Sequence, residues 1–214
     1  TRFQDFTTGS WTVFSAPGRK LLSINIHGYD AAKHAAQPLV SDAKVALEKI
    51  GAALGSHRFA DPDFSVRDKW FKTTDGLFAA PKTNELPTDA QVIGAVDRNT
   101  GKDSVIMCAA GTMPGALHVL WRAAQGGYHM EYGFSCMGYE VAGAMGIKMA
   151  QPEKDVICMV GDGSYMMANS ELATAVMMGI PFTVVLTDNR GYGCINRLQK
   201  ATGGAPFNNM LDDS

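Results

Sequence analysis

Three runs of consecutive apolar residues punctuate the second half of the chain, each ending at a glycine or a polar pair. Val105-Ile106-Met107-Cys108-Ala109-Ala110 runs into Gly111, Val156 to Val160, within the predicted strand Lys154 to Val160, runs into Gly161, and Phe182 to Leu186, interrupted by Thr183, follows Pro181 and stops before Asp188-Asn189. Short β-rich runs of this kind predict strands buried on both faces, as in a parallel sheet covered by helices. Between the second and third runs, Leu172, Ala173, Val176 and Met177 share a helical face, with Asn169 or Ser170 placed to cap the helix and Gly179 to stop it. The unit reads as strand, loop, helix, strand, and such a crossover is almost always right-handed, so both strand ends open onto one crevice. Pro114 suits the first turn of another helix running toward Trp121. Upstream, Lys20 to Ile26 predicts a strand, and Asp42 caps a helix with Ala43, Leu47, Ile50 and Leu54 on one side and Gly55 at its end. From His57 to Pro87 the pattern loosens around Pro62, Pro81 and Pro87, which predicts a linker with a helix; Ala90 to Val96 predicts a helix leading onward.

The chemistry gathers at the ends of the apolar runs. Gly161-Asp162-Gly163-Ser164 closes the second, and Asn189 follows Asp162 by 27 positions at the end of the third. Two parallel strands joined by one helix bring the Asp162 carboxylate and the Asn189 amide oxygen to the same sheet edge, where open α/β sheets bind ligands. One hard anion and one neutral oxygen suit a magnesium ion that takes its other ligands from a diphosphate and water. Gly161 and Gly163 let a phosphate approach the backbone, whose N–H groups beyond them meet its charge. Taken alone, the tetrapeptide is more often a common Asp-Gly turn.

Gly-Asp-Gly followed, after about 25 residues, by Asn at a strand end resembles the signature of thiamine diphosphate enzymes. Here Asp188-Asn189-Arg190-Gly191-Tyr192-Gly193 stands in place of the usual Asn-Asn pair. The resemblance implies that Asp162, Asn189 and the backbone carbonyl of Gly191 hold the metal, leaving Asp188 a structural strand-end residue. Tyr132-Gly133-Phe134-Ser135-Cys136-Met137-Gly138, before a helix rich in small residues, is similar to the segment that places a Met under the bent cofactor in enzymes of the acetohydroxyacid synthase type. Met137 takes that position; a polarisable, unbranched side chain suits such a wedge, though a Met before a helix is also ordinary core. Ser135 stands where a backbone carbonyl accepts from the cofactor's 4′-amino group, or else caps the helix. At Gly111-Thr112-Met113-Pro114-Gly115 the resemblance implies diphosphate contacts from Gly111 and Thr112, and none from the Met113 side chain, which replaces a frequent His. The implied cofactor set is Gly111, Thr112, Ser135, Met137, Gly161, Gly163 and Ser164.

The longer stretches Glu131 to Val141, Val160 to Ser164 and Gly193 to Gln199 resemble, within that family, the branch that opens a cyclic polyol dione in inositol catabolism. Weaker markers are Thr1 to Phe6 and Ile24-Asn25-Ile26. The resemblance implies an α/β, parallel-sheet diphosphate-binding fold, incomplete, preceded by part of a Rossmann-like middle domain. Residues 1–56 would end the middle domain, 57–95 form a linker with helices, and 96–214 form the diphosphate- and magnesium-binding domain, truncated at its C-terminus. At 214 residues, with 46% hydrophobic, the chain has ample core, yet such enzymes have three domains, so it reads as an internal fragment. Thiamine diphosphate would supply a carbanion that attacks one carbonyl of the cyclic 1,2-dione. The adjacent ring C–C bond would break, and water would release 5-deoxyglucuronate. The glutamate that activates the cofactor is expected outside this chain, on the pyrimidine domain of a neighbouring subunit of a homodimer or homotetramer. No catalytic residue is therefore assigned here, and Glu140 and Glu171 have ordinary solvated or structural readings. Alternatives are an acetohydroxyacid synthase-like carboligase or decarboxylase, and a non-catalytic diphosphate-binding module. The isolated chain is expected to bind thiamine diphosphate weakly or not at all; calorimetric titration with cofactor and magnesium checks this, and tight binding contradicts it.

Charge and cysteine usage narrow the setting. A net charge of −2 and a pI near 6.2 give no electrostatic reason to bind nucleic acid or an anionic membrane, and no apolar run approaches a span. Cys108, Cys136, Cys158 and Cys194 sit singly and read as reduced, buried residues of a cytoplasmic protein. His27, His34, His57, His118 and His129 show no metal-ligand spacing.

Overall fold

The computed structural model describes residues 5–79, 81–82, 84–131 and 133–213. The markers Thr1 to Gln4, together with Tyr132 and Ser214, lie outside the described residues. The chain divides into two compact units, residues 1–63 and 64–214.

The first unit contains α1 (Asp5–Thr8), β1 (Leu22–Asn25), α2 (Gly28–Ala32), β2 (Gln37–Val40) and α3 (Ala43–Leu54). β1 and β2 pair in parallel, Leu22 opposite Gln37 and Asn25 opposite Val40. Asp42 caps α3 as expected, its side chain accepting from the Val45 N–H at 3.1 Å, and Gly55 closes it with a positive φ of 55°. The buried face differs from the expected one. Ala46 is the buried residue of α3, while Leu47 and Leu54 are exposed at 62% and 41%.

The second unit runs α4 (Ser65–Asp75), α5 (Asp89–Asn99), β3 (Val105–Cys108), α6 (Thr112–Leu120), β4 (Tyr128–Met130), α7 (Tyr139–Ala150), β5 (Val156–Gly161), α8 (Asp162–Tyr165), α9 (Glu171–Met178), β6 (Thr183–Thr187) and α10 (Gly193–Ala201). Its sheet has four strands in the order β4-β3-β5-β6, all parallel. The three apolar runs therefore form neighbouring strands.

Side chains alternate across a strand, and the two faces of β3 and β5 fill two separate cores. Ile106, Cys108, Ile157 and Met159 pack with Ile93 and Val96 of α5 and Met113, Leu117 and Leu120 of α6. Met107, Val156, Cys158 and Val160 pack on the other side with Ala109 and with Val141 and Ala144 of α7. Each fully buried aliphatic side chain contributes about 1.5–3 kcal/mol relative to exposure, so these layers fix the sheet and everything that hangs from its edge. Thr88 and Gln91 form a capping box that starts α5.

α9 departs from the expected face. Leu172 packs against the second core, but Val176 and Met177 are exposed at 81% and 86%, and Ala175 is the buried residue. Ser170 occupies the N-cap position without a side-chain capping bond, and Gly179 ends the helix in the left-handed region as expected. The physical reason is that α9 packs chiefly against α7, so only a narrow stripe of it is covered.

Candidate functional site

Because all four strands of the second unit are parallel, their carboxyl ends share one edge. That edge carries Gly111 after β3, the 131–138 loop after β4, Asp162 after β5 and Asn189 after β6.

β5 and β6 are in register through Gly161 opposite Thr187, which sets Asp162 beside the turn that follows β6. Asp188 shapes that turn by accepting from the Arg190 N–H at 2.8 Å. This fits its expected structural role. The Gly191 N–H donates to Asp162 Oδ2 at 2.7 Å. The inward end of the Asn189 amide lies 3.3 Å from Asp162 Oδ1 and 2.8 Å from the Gly191 carbonyl. With its NH2 inward, the amide donates to both oxygens. With its oxygen inward, three oxygens converge and repel unless a cation lies among them. One carboxylate, one amide oxygen and one carbonyl form a hard, all-oxygen donor set suited to magnesium with water and a diphosphate completing it. The residues therefore fit the ion. Among the described residues no cluster of three or more His, Cys, Asp or Glu offers another metal site.

The turn is held from behind by the end of the chain. Tyr192 N–H donates to the Asn209 carbonyl at 2.7 Å, Leu211 N–H donates to the Arg190 carbonyl at 2.8 Å, and Arg190 pairs with Asp212 at 3.0 Å. Gly163 faces the same turn, and a Cβ there would come within 2.8 Å of the Tyr192 ring.

Gly111 caps α6 with φ 96° and ψ −151°, and Thr112 begins the helix. The Thr112 hydroxyl accepts from Arg197 Nη2 at 2.7 Å, which joins α10 to the proposed diphosphate turn. Burial pushes the Asp89 carboxyl up, and the same Arg197 partly offsets this. Met113 is buried in the core, so its side chain makes no contact at the edge.

The loop after β4 is organised by Glu131. Its carboxylate accepts from Cys136 N–H at 2.9 Å and Phe134 N–H at 3.2 Å. Those bonds, first that from Cys136, hold its pKa below the ordinary carboxylate value. A depressed folded-state pKa gives stability that is present above the ordinary value and lost as pH falls through the depressed one. Amide protection at Phe134 and Cys136 is therefore expected to persist from neutral pH down through the ordinary carboxylate range and vanish only below it. Glu131→Gln, which keeps one acceptor oxygen, is expected to lose protection at one of the two amides at neutral pH. Hydrogen exchange, corrected for intrinsic rates, checks this; equal protection in the variant contradicts it.

Ser135 has φ 56° and does not cap α7; Gly138, with φ 87°, is the N-cap. The capping alternative for Ser135 is thereby excluded. Met137 is half-buried just before it. The Ser164 hydroxyl is engaged with Glu140, at 2.8 and 2.7 Å from its two oxygens, so a contact from Ser164 to a ligand would come from its backbone. The cysteines divide: Cys108 and Cys158 are buried, and burial pushes their thiols up to about 11 and about 12. Cys136, expected to be buried, is exposed, because its loop lies outside the strands. Sequence reasoning passed over Arg197 and the burial of Glu140; only the close packing of distant segments reveals either.

The carboxyl edge of the parallel sheet thus carries the Gly111 turn, the Met137 loop and the Asp162, Asn189 and Gly191 oxygens together. Residues 109–213 match the family described as thiamine pyrophosphate enzyme, C-terminal TPP binding domain. The chain is 39% identical to the 3D-(3,5/4)-trihydroxycyclohexane-1,2-dione hydrolase of Geobacillus thermodenitrificans (strain NG80-2), over 97% of this chain and 36% of that protein. It is 36% identical to the protein of that name from Bacillus subtilis (strain 168), over 97% of this chain and 37% of the relative. The chain thus spans about a third of the length of these curated relatives. In fold it is similar to the thiamine diphosphate-dependent 4-hydroxybenzoylformate decarboxylase of Rhodococcus jostii RHA1, with a TM-score of 0.70 and 20% identity over 91% of this chain and 35% of that one. Among the described residues no helix is long and apolar enough to cross a membrane.

Proposed function

We propose that the whole protein is a thiamine diphosphate- and magnesium-dependent hydrolase that opens the ring of trihydroxycyclohexane-1,2-dione to 5-deoxyglucuronate in myo-inositol catabolism, acting in the cytoplasm as a homodimer or homotetramer. The observation that carries the cofactor half of this reading is the convergence of Asp162, the Asn189 amide and the Gly191 carbonyl at the sheet edge. The substrate half is supported by relatives at 36–39% identity that bear the hydrolase name.

In this reading Asp162, Asn189 and the Gly191 carbonyl hold magnesium, which carries the diphosphate. The Gly111-Thr112 turn and the backbone of Gly161, Gly163 and Ser164 take up the phosphates. Met137 supports the bent cofactor and the Ser135 carbonyl accepts from its 4′-amino group. When bound, thiamine diphosphate supplies the nucleophilic carbanion for C–C cleavage. The activating glutamate comes from a neighbouring subunit. Residues 1–56 are then the C-terminal part of a Rossmann-like middle domain, 57–95 a linker with helices, and 96–214 the diphosphate- and magnesium-binding domain.

Product analysis of the whole protein tests the proposal. Consumption of the cyclic dione with release of an open-chain sugar acid is expected. Acetolactate from pyruvate, with no turnover of the dione, would replace the reading by an acetohydroxyacid synthase-like carboligase.

A further inference from the structure

Glu140, the second residue of α7, is 1% exposed, although a glutamate in the first turn of a helix ordinarily faces water. Its Oε1 accepts from the Ala110 N–H at 3.3 Å and its Oε2 from the Gly138 N–H at 3.1 Å. The Ser164 hydroxyl donates to the carboxylate at 2.7 Å and itself accepts from the Gly138 N–H at 2.8 Å. No ion pair among the described residues involves Glu140. Its charge also helps raise the thiols of Cys158 and Cys108, after burial itself.

The three partners share a property that core packing alone does not require. Ala110 precedes Gly111 and Thr112, Gly138 follows Met137, and Ser164 lies two residues beyond Asp162. They hang from three different places on the sheet edge, the end of β3, the loop after β4 and the end of β5. The Gly138 N–H to Ser164 hydroxyl bond joins the loop directly to α8, and the carboxylate bonds both of these groups and ties them to the β3 end through Ala110. A buried carboxylate with three donors is rigid, since releasing the Ala110 N–H, for example, leaves a polar group unsatisfied in a dry site.

We infer that Glu140 is a positioning residue for the cofactor: by bonding Ala110, Gly138 and Ser164 it sets the spacing between the Gly111-Thr112 turn, the Met137 support and the Asp162 metal ligand. The inference rests on the proposed thiamine diphosphate site, and Glu140 touches neither cofactor nor substrate in it. Glutamine keeps the shape but turns an amide N–H toward one of the backbone N–H donors, so it loses part of the clamp. Alanine loses all of it.

The test is calorimetric titration of thiamine diphosphate, at saturating magnesium, into the whole protein and its Glu140→Gln, Glu140→Ala, Ser164→Ala and Val141→Ala variants, with Tm measured for each. Val141 is the control: it is buried beside Glu140 and purely apolar. The expected result is a dissociation constant raised several-fold in Glu140→Gln and tenfold or more in Glu140→Ala. A smaller rise is expected in Ser164→Ala, and a change under twofold in Val141→Ala despite its lowered Tm. If Glu140→Ala does not fold, the glutamine and Ser164 variants carry the comparison. Folded Glu140 variants that bind within twofold of the unmodified protein overturn the inference, as does a Val141→Ala variant whose affinity falls in step with its Tm. An unmodified protein that does not bind the cofactor overturns the proposed function itself, a failure distinct from tight binding unaffected at Glu140.

Discussion

Replacing Asp162 by alanine is expected to abolish magnesium-dependent binding of thiamine diphosphate in the whole protein. Asp162 is the one anionic member of the oxygen triad, and its other oxygen holds the Gly191 N–H at 2.7 Å. The substitution removes a ligand and at the same time releases the turn that presents the Gly191 carbonyl. Loss of an outer-shell partner typically weakens a metal site by about 10–100-fold, and loss of the charged ligand should exceed that range. Asp162→Asn keeps the shape and an oxygen but not the charge, so it should retain part of the binding. Calorimetry with and without magnesium measures both. Unchanged magnesium dependence in Asp162→Ala would remove the triad from the account.

Gly191→Ala is expected to be nearly as damaging, by a steric route. Gly191 has φ 139°, a conformation that L side chains rarely adopt, and an added Cβ would meet the Asn209 carbonyl oxygen at 2.5 Å and Met210 Cα at 2.9 Å. Both obstacles are backbone, so neither can swing aside. Backbone strain and overpacking each cost about 1–3 kcal/mol, which the protein relieves by parting the 190–192 turn from residues 209–211. That movement draws the Gly191 carbonyl away from Asp162 and Asn189. The expected readouts are a lowered Tm and a large loss of magnesium affinity at saturating cofactor. Wild-type affinity with a lowered Tm would mean that the Gly191 carbonyl is not a ligand.

The sheet's centre was legible because β3 and β5 are buried on both faces and so appear as unbroken apolar runs. β4 and β2 were not. Tyr128-His129-Met130 includes an exposed histidine on an edge strand, and Gln37-Pro38-Leu39-Val40 contains a proline and is mostly exposed. Neither produces a run or an alternation long enough to read. The face of α9 went astray for a related reason. Helical spacing identifies which residues align, but how much of that stripe is covered depends on the element packed against it, and α9 meets chiefly α7.

At the site, Asp162 and Asn189 were readable because each follows a strand that announces itself. Gly191 was available as a candidate only through the family resemblance, since a backbone carbonyl proposed as a ligand leaves no side-chain trace. Glu140 was invisible as a clamp for a deeper reason. Its partners Ala110 and Ser164 are separated from it by 30 and 24 residues, and their meeting is set by the packing of α7 on the sheet.

The most direct measurement is anomalous diffraction from crystals of the whole protein grown with thiamine diphosphate and manganese in place of magnesium. The account predicts one strong peak bonded to an Asp162 carboxylate oxygen, the Asn189 amide oxygen and the Gly191 carbonyl, with the diphosphate on its open side. A diphosphate bound without metal at these three oxygens, or a manganese peak elsewhere in the molecule, would contradict it.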